Sequence, residues 1–202
     1  MRARKTDTEV RQDQIAQAAL DLIGTEGMHA LSIAGIAQRV GIVPSALYRH
    51  YRGKDDVLDA VLDMLQNRMM SNVETVCKEK SDPLERLEAL LMRHVRMLAE
   101  NRAIPHVIFS DGIYTGYPER KAKVQQIMER YLARIEEIIQ DGRDTGQIRP
   151  DVVPKTVSVL FLGMILPAAV LWNVTNGTFD AVAHARHAWP LFKRAICVRP
   201  EN

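Results

Sequence analysis

The chain has 202 residues, 47% hydrophobic and 26% charged, with a formal net charge of +2. This composition excludes a disordered polypeptide, and Cys77 and Cys197 are too few and too far apart for a disulfide framework or a zinc cluster, which favours a reducing compartment. The charge is unevenly spread: residues 1–54 hold eight basic and five acidic side chains, and the rest hold 19 and 20, a modest bias that fits nucleic-acid contact by the head. Arg2, Arg4 and Lys5 are followed by no apolar segment of the secretory type, so a cytoplasmic protein is expected.

Thr6 and Glu9 have capping-box spacing, and Ile15, Ala18, Ala19, Leu22 and Ile23 then recur at helical spacing until Gly24 and Gly27. Ser32 can cap a second helix of about two turns with Ile33, Ile36, Ala37 and Val40 inward, and Gly41 is placed to stop it in a left-handed conformation. Pro44 suits the first turn of a third helix carrying Leu47, Tyr48 and Tyr51 up to Gly53. A long fourth helix follows, with Asp55 and Asp56 at its positive end and Val57, Leu62, Met69 and Val76 along it, ending near Ser81.

Beyond Asp82-Pro83 the amphipathic stretches are Leu84 to Ala99, a short one near Ala103 to Phe109, and Pro118 to Gln140, closed by Gly142 and Gly146. Asp151 to Asn173 is almost wholly apolar, and Thr178 or Asp180 opens a last helix to about Ile196. Within the apolar stretch the longest run, Val159 to Trp172, is 14 residues and contains Gly163 and Pro167. That is short of the roughly 18 residues of a membrane span, so a buried helix and no membrane partner are expected. No strand-like alternation or internal repeat is evident. The fold class is all-α with about nine helices: a three-helix head over residues 1–54 and a larger helical body over 55–202.

Leu31 to Leu62 carries the functional signal, because two short helices joined by a glycine turn and followed by a long helix make a helix-turn-helix pattern. Pro44, Ser45 and Ala46 are small enough to enter a major groove. Tyr48, Arg49, His50 and Lys54 follow as donors for phosphates or, for Arg49, for the O6 and N7 acceptors of guanine. The segment Leu31-Ser-Ile-Ala-Gly-Ile-Ala-Gln-Arg-Val-Gly-Ile-Val-Pro-Ser-Ala-Leu-Tyr-Arg-His-Tyr-Arg-Gly-Lys-Asp-Asp-Val-Leu58 resembles the TetR family of one-component transcriptional regulators. The resemblance implies that Ser32 and Lys54 contact phosphates, that Pro44 to Ala46 and Arg49 face bases, and that Tyr48 and His50 clamp the backbone. One departure is Val43, where the family commonly places a capping residue, and a valine side chain cannot cap. Tyr51, four residues after Leu47, reads as a core aromatic, whereas Tyr48 fits either role.

The chain contains no Gly-x-Ser-x-Gly, His-Glu-x-x-His, phosphate-binding glycine loop or CxxC pair, so no enzyme and no cofactor are expected. His184 and His187 lack a third ligand at supporting spacing, so no metal site is expected either. The reading is therefore a dimeric repressor of a near-palindromic double-stranded operator, released by a small, largely apolar effector that tilts the fourth helix. A constitutive or architectural DNA binder without a ligand is the alternative. For the homodimer interface the candidates are Phe161, Ile165 and Trp172 in the apolar stretch and Trp189 and Phe192 in the last helix. Effector lining is expected from Met92, Val95, Phe109, Ile113, Met128 and Leu166, with His94, His106 or Tyr131 orienting its few polar atoms. A satisfied core or surface histidine is the plainer reading of His94 and His106.

Overall fold

The computed structural model describes residues 7–101, 103–108, 110 and 117–198; Thr6 of the expected capping box lies outside them. Among the described residues there are ten α-helical segments and one isolated β-bridge, between Ile148 and Cys197. The helices are α1 (Asp7–Glu26), α2 (Ile33–Val40), α3 (Pro44–Leu47), α4 (Lys54–Glu79), α5 (Pro83–Glu100), α6 (Ala103–Ile108), α7 (Pro118–Asp144), α8 (Pro154–Gly163), α9 (Leu166–Val174) and α10 (Ala181–Ile196). They fall into two compact units, Met1–Arg68 with Asn101–Val124, and Met69–Glu100 with Gln125–Asn202.

In the first unit α1 turns Ile15, Ala19 and Ile23 inward, and Ile36, Ala37, Leu47, Val57 and Val61 are buried with them. Gly41 adopts φ +77, and the Ile42 N–H reaches the Ala37 carbonyl at 2.9 Å, so the chain reverses after α2 by a left-handed cap that any Cβ would strain. The short helix α6 packs on α1, where Gly24 lets Ala103 approach: a Cβ on Gly24 would lie 3.2 Å from the Ala103 N and Cβ. Packing thus groups the first turns of α4 and residues 101–124 with the head, whereas the sequence placed the head's end at residue 54. Contacts made across long sequence separations draw the larger boundary.

In the second unit α5 is amphipathic, burying Leu87, Leu90, Leu91, His94, Val95 and Leu98 on one stripe and packing on α10 and α9. Asp82 caps α5 by accepting from the Glu85 N–H at 2.9 Å, and its other oxygen takes the Gln147 side-chain N–H at 2.7 Å. Asp180, one of the two candidates for the last helix start, caps α10 by accepting from the Ala183 N–H at 2.8 Å.

The apolar stretch forms two helices rather than one. Pro167 has no N–H to offer the Gly163 carbonyl, and the N–H groups of Met164 and Ile165 bond three residues back, to Phe161 and Leu162, at 3.1 and 2.9 Å. Counted across that break, Pro154–Val174 is long and apolar enough by composition to cross a membrane, and only 39% of its most apolar window is buried. The expected buried helix is thus two helices, each buried on one side: Phe161, Leu162, Ile165, Ala168 and Ala169 point inward, and Val159, Leu160, Val170, Leu171 and Val174 are exposed.

Candidate nucleic-acid interface and buried polar pair

The reading surface is built by local rules. Ser32, exposed, sits in an extended conformation as the N-cap of α2, and its Oγ accepts from the Gly35 N–H at 3.1 Å. That leaves its hydroxyl hydrogen to donate outward at the positive end of the helix. Val43 occupies the N-cap of α3 with no side-chain bond. After Leu47 the chain tightens into turns, with Arg49 and His50 N–H groups bonding three residues back. Leu47 is completely buried and anchors the segment, so its neighbours Pro44, Ser45, Tyr48 and Arg49 face solvent and Ala46 and His50 are half-buried. Tyr48 is 57% exposed, which rules out the core alternative for it. Lys54, also exposed, begins α4.

Among the described residues the side chains of Arg49, Arg52 and Lys54 make no hydrogen bond or ion pair, so their charges face outward uncompensated. Tyr51 is half-buried rather than fully in the core and donates to the Gln12 carbonyl at 3.4 Å; burial, then the nearby Asp63 carboxylate, raises its pKa. Arg39 is occupied internally, with Thr25 Oγ1 at 3.1 Å and Glu26 at 3.6 Å, bracing α2 against α1.

One group in this unit was not anticipated. The Arg120 side chain, 4% exposed, donates from Nε to Asp59 Oδ1 at 2.9 Å and from Nη2 to the Asp55 carbonyl at 3.2 Å and its Oδ1 at 3.3 Å. Its guanidinium also lies 4.4 Å from the centre of the Tyr117 ring. Burial disfavours the charge, but the hydrogen bonds and fields of Asp59 and Asp55 outweigh it, and the net effect raises the Arg120 pKa. Lys123 adds bonds to the Asp59 carbonyl at 3.0 Å and to Asp63 Oδ2 at 2.7 Å. The available signal was the recurrence of Asp55, Asp59 and Asp63 every four residues, a stripe that calls for cations; nothing local said which ones.

In the second unit His94 Nδ1 and Tyr131 Oη are 2.7 Å apart, with ring centroids 5.1 Å apart and planes at 70°. Both are buried. Desolvation lowers the His94 pKa to about 4 and raises that of Tyr131, so both are neutral at pH 7. Of the other expected effector residues, Val95 is buried and Met92, Met128 and Leu166 are half-buried. His106 is exposed on α6 of the first unit. Phe109 and Ile113 lie outside the described residues. Val95, Leu98, Ile165, Ala168, Ala169 and Trp172 line a shallow apolar crevice too narrow to hold even a water molecule.

Of the residues expected at a dimer interface, four are buried within the protomer and Trp172 is half-buried. Phe161 and Ile165 are completely buried within the protomer, and Phe161 meets Phe192 edge-on at 5.9 Å, with Trp189 at 5.9 Å from the same ring. This cluster is core, and Trp172 lines the crevice. The apolar side chains that face solvent on these helices are others, led by Val174 at 66%, Leu191 at 62% and Leu160 at 58% exposed.

The family model described as bacterial regulatory proteins, tetR family, matches residues 15–61, and that of the tetracyclin repressor-like C-terminal domain matches residues 80–196. The fatty acid metabolism regulator protein of Bacillus subtilis (strain 168) is 22% identical over 170 residues, covering 84% of this chain and 87% of that protein. The nucleoid occlusion factor SlmA of Vibrio vulnificus (strain YJ016) is 23% identical over 188 residues, covering 92% and 95%. The solved structure of the regulator FadR from Bacillus subtilis in complex with stearoyl-CoA shares the fold, with a TM-score of 0.77 at 22% identity over 89% of this chain and 96% of that one. The two models together span the helix-turn-helix and most of the helical body, and the chain belongs to the TetR family of transcriptional regulators, which are not enzymes.

Proposed function

We propose that the protein is a cytoplasmic homodimeric repressor that binds a near-palindromic operator through residues 1–54 and is released when residues 55–202 take up a small, largely apolar effector. The observation that carries this reading is the exposed, uncompensated set Tyr48, Arg49 and Lys54 beside the capped end of α2. One such head reads a single half-site, so a two-fold pair is required to occupy successive major grooves. The exposed apolar side chains of Val159, Leu160, Val170, Leu171, Val174 and Leu191 are the candidates for that pairing, in place of the buried aromatics. For the effector, the half-buried apolar side chains of Met92, Met128 and Leu166 in the second unit favour a ligand with a largely hydrocarbon part. The related structure holds stearoyl-CoA, so a long acyl chain, there carried on the large and polyanionic coenzyme A, is the first hydrocarbon part to try.

The test is a DNA titration with and without stearoyl-CoA, on a duplex chosen by footprinting upstream of the protein's own gene. A protected palindrome whose affinity falls on adding the acyl thioester is the expected result. By linkage, the same factor must appear as weaker acyl-thioester binding to the DNA complex. The narrowness of the crevice and the likeness to a nucleoid occlusion factor support a second reading, a DNA binder that takes no small ligand. Unchanged melting with acyl thioesters and other apolar compounds, alongside intact DNA binding, selects that alternative.

A further inference from the structure

Asp55, Asp59 and Asp63 stand on one stripe of the first turns of α4, where like charges four residues apart repel. The stripe begins immediately after Lys54, the first residue of the helix. Left alone, it would set three carboxylates beside a side chain that has to approach phosphate, and would leave the helix start with no fixed neighbour on that face. Arg120 and Lys123, one turn apart at the beginning of α7, pair with all three carboxylates, Arg120 shared between the first two, and offset two of their three charges. The guanidinium fork bridges Asp55 and Asp59 on successive turns of α4, a geometry an ammonium point charge cannot reproduce, and Tyr117 covers its face. Unlike Arg49, Arg52 and Lys54, whose charges face outward, Arg120 spends its charge inside the unit.

We infer that Arg120, supported by Lys123, is a positioning residue of the DNA-reading unit: it offsets most of the charge of the carboxylate stripe of α4 and fixes the helix start that presents Lys54. The DNA-reading unit is therefore completed by residues more than 60 positions away in sequence from the recognition segment.

The probe is a duplex selected by the wild-type protein from a random pool. Arg120→Met, which keeps an unbranched apolar stem, should bind it about tenfold or more weakly, since two carboxylates are then unpaired near the phosphate contact. Adding Asp55→Asn and Asp59→Asn to that variant should restore affinity to within about threefold, and Arg120→Lys should fall between. A purely structural role would not respond to removing the opposing charges. Binding of Arg120→Met within twofold of wild type, or a loss that the folded triple variant does not restore, overturns the inference. Should Arg120→Met not fold, Lys123→Met alone and with Asp63→Asn puts the same question at the more exposed rung; a loss with the first that the second reverses is expected, and no loss or no reversal overturns it. A wild-type protein that selects no duplex counts instead against sequence-specific DNA binding.

Discussion

Acid should weaken this protein in a window set by one buried imidazole. His94 is enclosed beside Tyr131 with its pKa lowered to about 4 by desolvation, against 6.5 for an exposed histidine. Between those two values the unfolded chain binds a proton that the folded chain refuses, so stability is greatest above pH 6.5, falls as the pH drops through the window, and levels off below about 4. The gap of about 2.5 units corresponds to roughly 3 kcal/mol, a large part of the 5–15 kcal/mol that holds a domain together. Asp82 also has a perturbed acidity, lowered first by the Glu85 N–H, but its contribution is present above its ordinary value of 3.8 and is lost only below it, outside the histidine window. Urea unfolding from pH 7.5 to 4.0 reads the effect. The paired replacement His94→Leu with Tyr131→Phe removes both polar groups at once, so no hydroxyl is stranded, and its stability should lose most of the slope between pH 6.5 and 4. Equal slopes in wild type and the double variant would refute the assignment.

Lys54→Ala should weaken every duplex alike and reduce the slope of log affinity against log salt by about one, as read by titration at four salt concentrations. Arg49→Ala should cost ~1–3 kcal/mol on the selected duplex and relax preference at one base position; equal loss on all sequences reassigns it to phosphate. Leu160→Asp should give a folded monomer in light scattering, whereas Phe192→Ala should lower stability by about 3–5 kcal/mol; a Leu160→Asp dimer moves the interface off α8. Val43→Ser supplies the missing cap of α3 at an exposed position already in extended conformation, and should raise unfolding stability by about 1 kcal/mol; no gain would mean the segment's turns do not need that bond.

The head was legible because its signals are short-ranged. Ser32, Gly41 and Pro44 each act on backbone within a few residues, and the structure has them as N-cap, left-handed cap and first helical residue. Arg120 was not legible, because its carboxylate partners lie 61 and 65 residues away and nothing nearby in sequence names them. Likewise the types of His94 and Tyr131 suggested polar handles, but only the fold pairs them across 37 residues. The apolar stretch misled for a different reason: helices that are apolar on every face carry no contrast to say which side is inward. Choosing the largest side chains as interface anchors selected Phe161 there, and Trp189 and Phe192 on the buried stripe of the amphipathic α10, all of which the protomer needs for its own core, and passed over the mid-sized Val and Leu side chains left outside.

The one-sided burial of Pro154–Val174 also bears on how much of this regulator a cell must make. Whatever covers that face binds the folded chain and not the unfolded one, so apparent stability rises by about 1.4 kcal/mol for each tenfold increase in the covering partner. If the partner is a second copy, scarce chains are both the least able to grip an operator and the quickest to be degraded, since proteases act on the open form. Abundance would then have a floor set by Val159, Leu160, Val174 and Leu191, below which the molecule removes itself rather than persisting as an inactive half.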